Sequence, residues 1–534
     1  MKEYRIFNIP LIVYIFILAL FLRLYNLGLP SIWVDEAFSI WVAKFDMVPL
    51  VQFIAKDAHP PLYFMLLHFW VKLFGTGEFA VRLLSVLFSM GSLCLIYAVS
   101  NVVFTDKKYG LLASFLFAIS SFSITGADTD VKMYSMLTFL TILSVYFLCR
   151  IIKEAKPYLW ILYTLTLMLA LYTHYFAFFV IFAELVCIIL FYRDKKGTDE
   201  NANNNMWPGI RPAVIIGLIM LVSFIPWVKP FFDQSFIFDK GEHLPKATFF
   251  HLANLFYYFF TPILSKLDSF FAPFAHLAIS FVFILSFILM VLGGVKLSKY
   301  KSGIVLLVSF LIILLLPFLV SCMAAEKHVF QARYMTLVFP LFTIIFTCGI
   351  LSLENRYLKY ILIAGFIFSN LIFYYLYTNN SDYWKQNWRT VVSYVEEKSR
   401  PGDVVFLQVS YNALPFNYYY KGGAFKLSAA QKNTGIPEWR YNFSYTDEYL
   451  LKGGLPQYHF DSYDPAFLNW AANLHNRIIY ILNIEEFGDP DRKVLGWLSK
   501  NCIFLEGIEV VNISQGQSRV TVGIFETKTE NEKQ

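Results

Sequence analysis

The sequence predicts a mainly α-helical protein, a polytopic bundle of about eleven transmembrane spans followed by an extracytoplasmic α/β domain. Three observations carry that prediction. Of the 534 residues, 57% are hydrophobic and only 15% are charged, where a soluble domain carries about 25% charged residues. The apolar residues fall in runs of about 20, the length that crosses a bilayer as a helix. From about residue 381 the charges return, and short apolar strands alternate with amphipathic helices.

Eleven runs read as spans, roughly 9–27, 80–104, 110–126, 132–151, 158–173, 175–192, 212–230, 272–295, 303–323, 334–353 and 359–377. Only Thr173-His174 interrupts the pair around 158–192. Residues 248–262 are apolar and aromatic but short, which assigns them to the membrane interface. The first run is long and has no small-residue cleavage site after it, so it is not a cleavable signal peptide.

Basic residues set the expected sidedness. Lys2, Arg5, Lys107, Lys108, Arg150, Lys153, Lys156, Arg193, Lys195, Lys196, Arg211, Lys296, Lys299, Lys301, Arg356 and Lys359 fall on one side, which is expected to be cytoplasmic. The N-terminus then lies inside. The loops 28–79 and 231–271, and everything after 378, lie outside a plasma or inner membrane. The net charge of +6 follows from this distribution and gives no sign of nucleic-acid binding. Five of the six cysteines lie in or beside spans, and no spacing forms a disulfide framework or a metal site.

Two domains are expected: residues 1–380 in the membrane, with outer loop 28–79, and residues 381–534 as the α/β domain. In the latter, Trp388 to Lys398 reads as a helix and Arg400-Pro401-Gly402-Asp403 as a turn. Val404 to Leu407 and Ile478 to Leu482 read as buried strands, and Pro490 to Lys500 as a helix. Further strands are expected near 502–511 and 518–526. No glycine-rich phosphate loop is present there.

The outer side gathers the ionisable groups. Asp35-Glu36 follows the first span, flanked by Trp33 and Phe38; it is either a site or the acidic start of a helix. Asp57-Ala58-His59-Pro60-Pro61-Leu62-Tyr63 precedes an amphipathic apolar run, 62–74, with prolines suited to a helix start. Asp128-Thr129-Asp130-Val131-Lys132-Met133-Tyr134 opens a span, as a capping and anchoring segment or as a mixed-charge site. Thr173-His174-Tyr175 breaks two spans, and Glu326-Lys327-His328 to Arg333-Tyr334 opens another. Ionisable groups near the membrane core are costly and mark function. An arginine fork at Arg333 suits a phosphate, or else anchors at the interface.

In these residues the chain resembles the polytopic glycosyltransferases of the GT-C fold, near the glycosyltransferase family 39 branch of protein O-mannosyltransferases and aminoarabinose transferases. The resemblance rests on Asp35-Glu36, on His59-Pro60-Pro61-Leu62-Tyr63, and on Gly77-Glu78-Phe79-Ala80-Val81-Arg82. It also rests on Asp130-x-Lys132-x-Tyr134, Thr173-His174-Tyr175 and Arg333-Tyr334. It implies transfer of a monosaccharide, with inversion, from a polyprenyl-phosphate donor to an acceptor on the outer face. The acceptor is a protein, lipid or glycan. Asp35 is implied as the catalytic base, with Glu36 beside it in the catalytic pair. His59, Asp128, Asp130, Lys132, Tyr134, His174, Arg333 and Tyr334 are implied in substrate binding, Arg333 and Lys132 at the donor phosphate. Lys132 stands where the pattern has arginine. His59 before its prolines resembles the mannosyltransferase form more than the aminoarabinose form.

Such a transfer needs a base within reach of the acceptor proton and positive charge at the departing phosphate. Asp35 supplies the first; Arg333, Lys132, Lys327 and Arg82 are candidates for the second. No cofactor is expected to be obligatory. A divalent metal is compatible with Asp35, Asp128, Asp130 and His174, although no spacing demands one. The alternative function is a transporter or flippase of a lipid-linked sugar, which would place ionisable groups near the midplane in repeated halves. Here they gather at one surface, and no internal repeat is seen. A membrane-anchored binding or assembly protein, working through its C-terminal domain, is the third reading.

Overall fold

In a computed structural model of the protein, the described residues are 4–6, 9–154, 156–194, 211–238, 247–260, 272–323, 330–400, 402–408, 412–421, 457–460, 465–483, 492–512 and 518–528. The chain divides into two compact units. One comprises Met1–Leu27 with Ala43–Tyr375, the other Gly28–Val42 with Leu376–Gln534.

The first unit is helical. Among the described residues, seven helices are long and apolar enough to cross a membrane, within Glu78–Val103, Tyr134–Glu154, Val214–Gln234, Ile279–Leu297, Lys301–Met323, Tyr334–Ser352 and Arg356–Asn379. Lys108–Ile119 and Ser121–Asp128 meet at a 51° bend and make an eighth if counted as one span. The expected spans at 9–27, 158–173 and 175–192 fall on shorter apolar helices, Leu11–Leu24, Pro157–Leu171 and Ala177–Phe191. The count of eleven therefore exceeds what helix length and composition support among the described residues. The segment expected at the interface, 248–262, holds the helix Phe249–Phe260, with 261–262 outside the described residues.

Small residues bring two of these helices together. A Cβ on Gly293 would collide with the carbonyl oxygen of Ile345, and one on Gly349 with that of Leu289. The helices Ala272–Leu297 and Phe339–Ser352 thus meet backbone to backbone, as membrane helices do at small-residue stripes.

The second unit is an α/β layer structure. Among the described residues its five strands lie in the order Gln457–Phe460, Val404–Gln408, Arg477–Asn483, Ser518–Thr527 and Cys502–Asn512. The first three are parallel and the last two pair antiparallel. Alternate residues feed two cores. Val405, Leu407, Ile479 and Ile481 pack with Trp388, Val391 and Val395. Val404, Phe406, Ile478 and Tyr480 pack with Leu468, Val494 and Leu498. Because helices cover both faces, the central strands read as continuous apolar runs.

The expected strands at 404–407, 478–482, 502–511 and 518–526 all appear, as do helices at Trp388–Lys398 and Lys493–Asn501. Pro401 and residues 490–491 lie outside the described residues. The edge strand Gln457–Phe460 and the helices Ala413–Tyr419 and Pro465–Leu474 were not expected.

Candidate functional site

In the helical unit, four separated segments converge on His174. The helix Pro157–Leu171 ends in a tight turn, where the amides of Thr173 and His174 both donate to the Ala170 carbonyl at 3.0 Å. The next helix begins at Ala177. Leu62 N–H donates to the Tyr172 carbonyl at 3.0 Å, which ties the His59-Pro60-Pro61 segment to this turn. Pro61 then caps the helix Leu62–Phe74, with no side-chain hydrogen bond. As a result the rings of His59 and His174 stand 5.1 Å apart.

The other two segments bring tyrosines. Tyr134 opens its span 6.1 Å from the His174 ring, and Tyr334 lies 5.5 Å from it. The two tyrosine rings are 5.8 Å apart. Arg333 lays its guanidinium 5.1 Å from the Tyr334 ring centre and donates through Nη2 to Tyr334 Oη at 3.4 Å. Five of the expected site residues, His59, Tyr134, His174, Arg333 and Tyr334, thus share one neighbourhood.

Electrostatics adds Lys132. Burial pushes the His59 imidazole well below its ordinary value, and the neighbouring His174, Lys132 and Arg333 act in the same direction. Burial, then Arg333, pushes His174 down to about 3. Both histidines are therefore neutral at pH 7. His174 Nδ1 accepts from Phe176 N–H at 3.1 Å, so the neutral ring carries its proton on Nε2. That buried Nε2 has no hydrogen-bond partner among the described residues. A buried donor beside an arginine and a lysine is suited to an anionic oxygen.

In the second unit, Asp35 and Glu36 occupy the first turn of the helix Val34–Ala43. A carboxylate there is favoured by the helix dipole. Glu36 is buried and its Oε2 accepts from Trp33 N–H at 3.4 Å, three residues back, as in a capping box. The pair is thereby divided: Glu36 caps its own helix, whereas Asp35 is half-buried.

Asp128 belongs elsewhere. Its Oδ2 accepts from Arg23 Nη2 at 2.7 Å, Arg23 Nε at 3.1 Å and Ser123 Oγ at 2.7 Å. Arg23 also donates to Ser89 Oγ and to the Ala118 carbonyl. Asp128 thus takes part in a buried ion pair, the counter-charge that an arginine inside an apolar helix needs. Asp130 is buried, with its backbone carbonyl receiving Ser85 Oγ at 2.5 Å. Arg82, a phosphate candidate, is buried and donates through Nη1 to the Leu27 carbonyl at 3.0 Å. Glu326, Lys327 and His328 lie outside the described residues.

Among the described residues of the helical unit, two buried charges inside apolar runs are absent from the sequence expectations, Arg23 and Glu184. Glu184 is buried within the helix Ala177–Asp194, and Ser144 Oγ donates to it at 2.7 Å. The signal for both was a charged residue inside an apolar run. Among the described residues, no group of three or more His, Cys, Asp or Glu side chains is gathered closely enough to share an ion.

Residues 58–229 match the family described as dolichyl-phosphate-mannose-protein mannosyltransferase. Among curated proteins none matches the chain. Among solved structures, the chain is similar to ArnT from Cupriavidus metallidurans in the apo state, with TM-score 0.53 and 13% identity, covering 96% of this chain and 97% of that one. It is also similar to the apo oligosaccharyltransferase of Archaeoglobus fulgidus, with TM-score 0.51 and 10% identity, covering 92% of this chain and 72% of that one. These likenesses define the class: a polytopic membrane protein with the GT-C glycosyltransferase fold. The stretch that matches the mannosyltransferase family includes His59, Asp128, Asp130, Lys132, Tyr134 and His174.

Proposed function

We propose that this protein is a membrane glycosyltransferase that moves a monosaccharide from a polyprenyl-phosphate donor to an acceptor hydroxyl on the outer membrane face, with inversion. The family match at residues 58–229 names a dolichyl-phosphate-linked sugar and a protein acceptor, and it supports a lipid-phosphate donor here. The observation that carries the reading is the cluster around His174, where a buried N–H stands ready beside Arg333 and Lys132. Charge grows on the phosphate oxygens as the glycosidic bond breaks, and donors already in place lower that barrier.

The cluster is assigned the donor phosphate. Arg333 and Lys132 supply positive charge, and the neutral His174 supplies a hydrogen bond. Tyr134 and Tyr334 present aromatic faces, and His59 closes the cluster. Asp35 is assigned the base, taking the acceptor proton as its oxygen attacks the anomeric carbon. The polyprenyl phosphate departs as an anion, and a single displacement with no covalent glycosyl-enzyme intermediate predicts inversion. Glu36 serves by capping the helix that carries Asp35. The N-terminus is assigned to the cytoplasm and the C-terminal unit to the outer side.

The test is sugar transfer by purified protein from a panel of polyprenyl-phosphate sugars, with Asp35→Asn in parallel. Turnover of at least one donor, reduced by about 1,000-fold or more in the variant, is the expected outcome; general base catalysis contributes about 10²–10⁴-fold. Equal turnover by Asp35→Asn removes the base. Silence of the wild type with every donor removes the reading.

A further inference from the structure

The start of the acidic helix is fastened within the second unit at every backbone donor from Ile32 to Val34. Ile32 N–H donates to Tyr419 Oη at 2.7 Å, and Val34 N–H to Gln386 Oε1 at 3.2 Å. Trp33 N–H is taken by Glu36. A helix N-terminus leaves such donors without intrahelical partners. Here two are answered by side chains more than 350 positions away in sequence.

Residues 28–31 are held as well. Arg389 Nη1 donates to the Leu29 carbonyl at 2.8 Å and Nη2 to the Gly28 carbonyl at 3.4 Å. Its backbone N–H donates to Ser31 Oγ at 3.1 Å. The same guanidinium lies 5.5 Å from the Tyr419 ring centre, so the two clamping side chains support each other. Gln386 Oε1 also receives Trp388 Nε1–H at 2.9 Å, and Trp388 is fully buried in the core of the unit. Val34 packs on that same core. Lys385 places its ammonium 4.4 Å from the Trp33 ring centre.

We infer that Gln386, Arg389 and Tyr419 are positioning residues that fix the first turn of the acidic helix and, with it, the Asp35 carboxylate. The C-terminal unit then serves the reaction by holding the base in register. This inference rests on Asp35 being the base, as proposed above. Asp35 is one residue beyond the clamped Val34 amide, so its carboxylate follows any shift of that turn. A misplacement of about 1 Å can cost about 100-fold in rate. Residues that lock a reacting group are needed as much as the group itself.

The experiment is a double-mutant cycle on the full-length protein, using whichever polyprenyl-phosphate sugar the wild type turns over. Tyr419→Phe removes one hydroxyl and keeps the ring beneath Arg389. It is expected to lower kcat about 10-fold or more, with the donor KM within twofold of wild type. Amide exchange at Ile32 is expected to accelerate while the rest of the second unit keeps its protection. In an Asp35→Asn background the same substitution is expected to change nothing further, because the group it positions is gone. Gln386→Leu is expected to follow the same pattern.

A wild-type kcat for Tyr419→Phe, or an equal loss in the Asp35→Asn background, overturns the inference while leaving the base assignment intact. Full activity of Asp35→Asn alone overturns the assignment and the inference with it.

Discussion

Arg23 Nη2 lies 2.7 Å from the Asp128 carboxylate, with both side chains closed off from solvent. The arginine sits at the end of the first apolar helix and the aspartate ends a short π-helical turn, 105 positions later. Removing one partner of such a pair leaves an uncompensated buried charge, at a cost of about 3–5 kcal/mol. Arg23→Ala and Asp128→Asn are therefore expected to lower the thermal unfolding midpoint in detergent sharply. The double replacement Arg23→Met with Asp128→Leu is expected to recover much of the loss. Single variants as stable as wild type would show that the pair is dispensable.

The cluster around His174 predicts a different phenotype. His174→Ala and Arg333→Ala are expected to weaken binding of a polyprenyl phosphate by about 10-fold or more each, since hydrogen bonds to charged groups contribute about 1.5–3 kcal/mol. Their folding is expected to change less than that of the Arg23 variants. Asp35→Asn is expected to bind the lipid phosphate as wild type does. Binding isotherms for the three variants check this, and unchanged affinity in Arg333→Ala takes that residue out of the phosphate contact.

The neutral histidines predict a pH dependence of stability. The folded His174 holds its proton only near pH 3, against about 6.5 in an unfolded chain. Its contribution to stability is fully present above about pH 6.5. It is lost as the pH falls towards 3, because there the unfolded state binds a proton that the folded state does not. His59 acts in the same direction. The slope is at most about 1.4 kcal/mol per pH unit for each ring. The midpoint of unfolding is expected to fall between pH 6.5 and 5, and His174→Gln is expected to flatten that fall. An identical pH slope in the variant would remove His174 as its source.

The helices were legible because apolar runs of sufficient length leave few other outcomes, and the break at Thr173-His174 marked the turn that organises the cluster. The central strands were legible for a related reason. Both of their faces are covered, so Val404 to Leu407 and Ile478 to Leu482 are apolar throughout. What local pattern did not carry was partnership. Asp128 and Lys132 stand four positions apart in one polar segment, yet Asp128 is claimed by an arginine from the first helix and Lys132 acts on His59. Glu36 was hidden differently: its capping role is local, but a tryptophan stands where a serine or threonine usually marks such a start. The clamp on residues 28–34 was out of reach because nothing near Asp35 announces Gln386, Arg389 or Tyr419.

That clamp has a consequence for how the protein comes into being. Its hydrogen bonds join parts of the chain 352 to 387 positions apart. Synthesis proceeds at about 5–20 residues per second, so Asp35 leaves the ribosome on the order of twenty seconds or more before its clamp exists. The acidic helix is made before the side chains that seat it. A chain that stops short of Gln386 therefore carries the carboxylate without the side chains that grip its helix.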